Sequence, residues 1–169
     1  MKNNLLMDFN VDKANRKIKV TREFAAPLSQ VWEAWTNSQV LDQWWAPKPW
    51  KAKTKAMDFT EGGHWLYAMV GPEGEEHWAR ADYKKIDPAN SFTAVDSFAD
   101  ENGNINTSLP GATWTNRFTE AGQKTTVSID IEYKTVEDLE KTVEMGFKEG
   151  FTMGLENLDE LLAQKAQAK

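Results

Sequence analysis

The sequence predicts an α+β domain of the helix-grip type. It has a curved antiparallel sheet of seven strands, two short helices after the first strand and one long C-terminal helix. Three observations predict it. In residues 17–24, KIKVTREF, the apolar Ile18, Val20 and Phe24 fall in one alternating phase, the period of a strand, with Arg22 in the same phase. Residues 51–134 are a succession of β-patterned runs separated by turn residues. From residue 136 to about 166 the spacing becomes helical, with Leu139, Val143, Phe147, Phe151, Leu155, Leu158 and Leu162 in one apolar stripe. A long helix with a single apolar stripe needs a concave surface to lie in, and a strongly twisted antiparallel sheet supplies one.

The elements follow in order. Residues 1–16 read as an N-terminal extension, 17–165 as one domain and 166–169 as a frayed C-terminus. In the first strand Ile18, Val20, Arg22 and Phe24 share a face. Pro27 is placed to start a helix, LSQVWEAW, which directs Val31, Trp32 and Trp35 to the core. Thr36-Asn37-Ser38 breaks it and caps a second helix, SQVLDQWW, which ends before Pro47 because a residue preceding proline is pushed out of helical conformation. The strands 52–59 and HWLYAMV flank Gly62-Gly63, and a turn at Gly71-Pro72-Glu73-Gly74 leads to EEHWARADYKKI. SFTAVDSFA precedes a polar loop, and a turn at Gly122 joins ATWTNRFTEA to QKTTVSIDIEYK. In that last strand Val127, Ile129, Ile131 and Tyr133 face one way and polar residues the other, the pattern of a sheet wet on one side. Gly146, Gly150 and Gly154 recur at four-residue intervals, and their cost in a helix of about 1 kcal/mol each calls for close approach of another element.

Composition excludes several function classes. The net charge of −6 and the absence of a Lys/Arg-rich run disfavour nucleic acid and anionic membrane surfaces as partners. With no cysteine there is no disulfide framework, thiol nucleophile or thiolate metal site. The N-terminus lacks a signal-peptide core and no run is long enough to span a membrane, so a cytoplasmic protein is expected, as a monomer or weak homodimer. The eight tryptophans stand out, because each buried aromatic removes roughly 150–250 Å² from water.

Strand phase maps the inner face. Trp65, Tyr67 and Met69 fall on one face and His64, Leu66 and Ala68 on the other. His77, Ala79, Ala81 and Tyr83 are in phase inward, with Trp78 outward; the alanines leave room. Phe92, Ala94, Asp96 and Phe98 share a face, as do Trp114, Asn116 and Phe118. The inward set is therefore mostly aromatic with a few polar groups, the make-up of a small-molecule pocket. The candidate ligand-binding residues are Arg22, Trp45, Trp65, Tyr67, Met69, His77, Asp96, Phe98, Trp114, Phe147 and Phe151. The alternative is a filled core in which the rings pack on one another and Arg22 pairs with Asp96. In LDQWWAPKPW, Trp45 reads as a cavity roof and Trp44 or Trp50 as a hinge or surface cover; the alternative is an apolar plug.

A family resemblance enters at this point. TREFAAPLSQVWEAWTNSQVLDQWWAP resembles the opening of the START/SRPBCC superfamily. MDFTEGGHWLYAMVGPEGEE, FTAVDSFADENGN and MGFKEGFTMGLENLDELL are similar to the group within it named for the activator of the heat-shock-protein-90 ATPase. The resemblance covers about residues 17–165 and implies a curved sheet gripping a long helix around a cavity. It also implies a range of activities: ligand carriers, polyketide cyclases, and the C-terminal domain of a chaperone activator. Fold is thus far better specified than function.

Chemistry is sparse. No phosphate-binding glycine loop is present, and only two histidines exist. His64 and His77 fall on opposite faces, so neither a metal nor a cofactor is expected. The first reading is a carrier or sensor of a small hydrophobic or aromatic ligand. The second is a regulator of a chaperone ATPase, although the family's activators carry an additional N-terminal domain absent from these 169 residues. The third is a small cyclase or hydrolase, which requires His77 with Asp96 or Arg22 at one point of the cavity.

Overall fold

Describing residues 5–109 and 111–167, the computed structural model opens with an antiparallel hairpin, Met7–Asp12 (β1) and Lys17–Phe24 (β2). Leu28–Thr36 (α1) and Ser38–Trp44 (α2) follow, the second capped by Asn37, whose side chain accepts from the Gln39 amide. Lys51–Met57 (β3), His64–Val70 (β4), Glu76–Asp87 (β5), Ser91–Ala99 (β6), Ala112–Ala121 (β7) and Lys124–Glu132 (β8) complete one sheet. Val136–Glu144 (α3) and Phe147–Gln167 (α4) close the chain. The strand order is β1-β2-β8-β7-β6-β5-β4-β3, every neighbour antiparallel. The helix-grip architecture expected from the sequence is present.

Three expectations are corrected. The sheet has eight strands, not seven, because residues 7–12 of the expected extension form the edge strand β1. Its alternation, Met7, Phe9 and Val11, spans only six residues, and Val11 is exposed, so the pattern is weak in isolation. Residues 1–4 of that extension lie outside the described residues. At the other end α4 continues to Gln167, past the expected boundary at 165, and residues 168–169 also lie outside them.

The third correction concerns the C-terminal helix, which is two helices. Gly146 adopts φ 86°, a left-handed conformation that glycine takes without a Cβ penalty, and it ends α3. Val143, expected in the buried stripe, is exposed beside this break. Further along, Gly154 does meet the expected close approach. A Cβ there would stand 3.2 Å from the Trp45 carbonyl oxygen and 3.3 Å from that of Trp44. Asn157, one turn on, donates its amide to the Ala46 and Trp44 carbonyls at 3.1 and 3.4 Å. The carbonyls that a helix C-terminus leaves unpaired are thus satisfied by α4, which clamps α2 onto the open side of the sheet.

The outer face of the sheet is partly covered as well. Arg80 donates to the Gly103 carbonyl at 2.8 Å and Lys55 to that of Glu101 at 2.7 Å, fastening the polar loop after β6 against the convex surface. Leu66 is buried on that face for this reason.

Candidate functional site

The aromatic residues between sheet and helices divide into a filled end and an open end. At the filled end Trp32 of α1 meets Phe118, Phe92 and Phe59 with ring centroids 5.0, 5.9 and 5.9 Å away. Trp35 packs on Trp44 at 4.7 Å, and the Trp44 indole N–H donates to the Ala34 carbonyl at 2.9 Å. Trp44 is therefore a core residue, not a hinge or a surface cover.

At the open end a cavity of about 340 Å³ lies between the sheet and the helices. Trp45 and Pro47 roof it from the end of α2; Tyr67 and Met69 come from β4, Ala79 from β5, Asp96 from β6 and Ala112 and Trp114 from β7. Tyr133 closes it behind β8, and Thr142, Met145, Gly146, Phe147, Gly150 and Phe151 come from α3, the break and α4. Both possibilities left open by the sequence are thus realised, at different ends of one layer.

The register explains why these side chains converge. Trp65 and Tyr67 sit opposite Ala81 and Ala79, so bulky side chains on β4 face small ones on β5 and volume is left between them, while Met69 pairs with His77 toward the mouth. The β6–β7 pairing stops at Asp96 and Ala112. Beyond that point the rim opens, and Trp78, Ser97 and Phe98 border the cavity together with His77 and Asp96. Trp78 keeps its expected outward phase, with the Lys55 ammonium 5.9 Å from its ring on the convex side, and reaches the cavity at its rim. Phe9 of β1 backs Phe147 at 6.1 Å, so the edge strand buttresses the cavity wall.

Hydrogen bonds fix the ring positions. The Trp45 indole N–H donates to the Tyr67 hydroxyl at 3.0 Å. Tyr67 stacks on Trp65 at 3.9 Å; the Trp65 N–H donates to Thr54 Oγ1 at 2.9 Å, and Thr54 donates in turn to Asp42 at 2.6 Å. One chain of contacts therefore holds α2, β3 and β4 to the roof. Trp50 lies beside the exposed His77 ring, 5.4 Å away, as a cover at the cavity mouth, where Met145 is exposed too.

Of the residues expected in the site, Trp45, Tyr67, Met69, His77, Asp96, Phe98, Trp114, Phe147 and Phe151 border this cavity. Trp65 does not: Tyr67 stacks between, and Trp65 lines instead a smaller void of about 40 Å³ behind it. Arg22 does not either. It is 6% exposed and forms an ion pair with Asp159 of α4, with its guanidinium 4.9 Å from the Phe24 ring. The expected partner Asp96 lies elsewhere in the sheet. The pairing with Asp159 joins residues 137 apart in sequence, beyond the reach of strand phase. Tyr133, Thr142, Met145 and Gly146 were not anticipated; Tyr133 had its inward phase as a signal, and the other three depend on the helix break.

Among the described residues Asp96 is the single carboxylate bordering the cavity. Burial raises its carboxyl to about 7, because low-dielectric surroundings disfavour the charged form, while the Ser97 amide works weakly the other way. Burial, reinforced by the nearby Asp96 charge, also pushes the Tyr67 hydroxyl up; burial raises Tyr133 to about 12, opposed by its hydrogen bond to Thr142. Behind Tyr67 the small void carries two unpartnered buried atoms, Asn116 Oδ1 and Trp35 Nε1. One acceptor and one donor around such a space suit a water molecule.

The catalytic arrangement required of the third reading is not assembled. Asp96 stands opposite Ala81, four residues along β5 from His77, or about 13 Å at the rise of a strand. Arg22 is committed to Asp159. Among the described residues no cluster of three or more His, Asp or Glu side chains is placed to hold a metal ion, and no helix is long and apolar enough to cross a membrane.

A curved sheet closed by a C-terminal helix over an internal cavity defines the helix-grip class. Within that class, residues 25–163 match the family described as Activator of Hsp90 ATPase homolog 1-like protein, and the chain belongs to it. It is similar to a crystal structure of a Mycobacterium smegmatis protein, with 32% identity, TM-score 0.85, and 94% of this chain and 96% of that one covered. A solution structure of an Arthrobacter aurescens protein is similar at 27% identity and TM-score 0.87, covering 93% and 91% of the two chains. One from Staphylococcus epidermidis is similar at 31% and 0.81, covering 92% and 94%. A comparison with curated proteins gives no match.

Proposed function

We propose that the protein is a cytoplasmic carrier or sensor that holds one small, largely aromatic molecule between sheet and helices. The observation that carries this reading is the cavity of about 340 Å³, apolar in most of its lining, with Asp96 as its one charged anchor. Its size is at the lower end of the range for small-molecule sites, roughly 300–1,000 Å³. The Trp45–Tyr67 hydrogen bond and the Asn157 clamp hold its walls, which limits the reorganisation that binding needs. The break at Gly146, beside the exposed Met145 and His77, supplies the entrance.

Intrinsic tryptophan fluorescence tests the reading, since Trp45, Trp78 and Trp114 border the cavity. A panel of small aromatic compounds should give saturable changes, weakened in Phe151→Ala with the fold retained by circular dichroism. No response from any compound would overturn it. The family description supports a second reading, interaction with a chaperone ATPase. Under that reading a pull-down with the chaperone succeeds and its ATPase rate rises, whether or not the cavity is occupied.

A further inference from the structure

We propose that the cavity is built for an organic cation: a small aromatic amine whose ammonium nitrogen sits beside Asp96 and whose apolar body lies against the rings. The inference rests on the ligand-binding reading above and names its ligand class.

The charge inventory carries the argument. Among the described residues Asp96 is the only carboxylate in the lining, and neither lysine nor arginine borders the cavity. Arg22, the buried guanidinium in the sheet, is paired with Asp159. The other titratable groups facing the interior are Tyr67 from β4 and Tyr133 behind β8, with Tyr83 at the smaller void and His77 out at the mouth. Among the described residues nothing in the interior therefore neutralises an anionic ligand, and a carboxylate head group would face an ionised Asp96 with like charge. The indole N–H of Trp45, a donor that an anion would need, is already given to Tyr67.

The rings point the same way. Trp45, Tyr67, Trp114 and Phe151 present π-systems whose faces are electron-rich, and a cation within about 6 Å of such a ring is attracted most strongly where water is excluded. A neutral apolar ligand gains from the rings alone and takes water from the carboxyl, which keeps the Ser97 amide but gains no new partner. An ammonium group satisfies both. Because burial holds the Asp96 carboxyl near 7, a bound cation favours its ionised form and draws that value down. Uptake near neutral pH is then coupled to proton release.

Three probes that share a phenylethyl body test this against the 169-residue protein: 2-phenylethylamine, 2-phenylethanol and the slightly larger 3-phenylpropanoate, titrated calorimetrically and by tryptophan fluorescence. At about pH 8 the amine should bind about tenfold or more tighter than the alcohol, with the carboxylate weakest. At pH 7 its heat of binding should vary with the ionisation enthalpy of the buffer, reporting proton release. Asp96→Asn should erase the amine's advantage and the buffer dependence together. An alcohol that binds as well as the amine, or an amine preference that survives Asp96→Asn, would overturn the cation assignment and leave the cavity reading standing. No binding of any probe to the wild-type protein would remove both.

Discussion

The two ends of the aromatic layer are built from similar residues, yet one is solid and the other hollow. At the solid end Trp32, Phe59, Phe92 and Phe118 come from α1, the β3–β4 loop, β6 and β7 and meet edge to face or stacked. At the hollow end Trp45, Trp114, Phe147 and Phe151 touch one another along one side only. Ala79, Ala112 and Gly150 line the same space with little volume of their own, and the helix above is interrupted at Gly146. Aromatic content does not decide whether a layer is a core or a pocket. The size of the facing residue and the continuity of the covering element do.

Truncating one ring at each end separates a filled core from a pocket wall most clearly. Phe118→Ala removes a ring enclosed by neighbours and should cost about 3–5 kcal/mol in urea unfolding. Phe151→Ala enlarges an existing void, and with fewer contacts to lose it should cost about 2–3 kcal/mol. Equal losses would erase the distinction.

Asp96 gives the next largest effect. Its carboxyl titrates near 7 in the folded protein and near 3.8 when unfolded, so between those values the folded state holds the extra proton. Stability must therefore decline as pH rises through that window and remain lower above it. Asp96→Asn removes the decline, gaining up to about 4 kcal/mol at pH 8 and almost nothing at pH 4. A difference independent of pH would contradict the burial of the carboxyl.

Two glycines of α4 sharpen the contrast along a single helix. Alanine at Gly154 meets the Trp44 and Trp45 carbonyls, which Asn157 holds in place, so the clash should outweigh the gain in helix propensity and cost about 1–2 kcal/mol. Alanine at Gly150 meets only Pro47 Cγ at 3.7 Å, an ordinary contact. It should stabilise by up to about 1 kcal/mol while narrowing the cavity, read as a higher Tm with weaker ligand binding.

Much of the site was legible because strand alternation is a local property. Tyr67 and Met69 on β4, and Ala79 on β5, follow from a period of two residues. Trp65 shares that phase but was displaced from the cavity by the stacking of Tyr67, a relation between side chains that phase does not encode. The edge strand β1 went unread because its six residues are half solvated, and without a neighbour they carry little signal. The apolar stripe runs through Leu139, Phe147 and Phe151 on both sides of Gly146, so periodicity alone bridges the break.

By itself the sequence determined the order of elements, the inner face of the sheet and the acidic, tryptophan-rich character of the chain, since each depends on residues within a few positions of one another. Tertiary structure alone decided that Arg22 serves Asp159, that α3 and α4 separate at Gly146, and that the rings stop short of filling the space around Asp96. Those outcomes depend on distances between elements remote in the chain, which a pattern of side chains along one strand or helix does not contain.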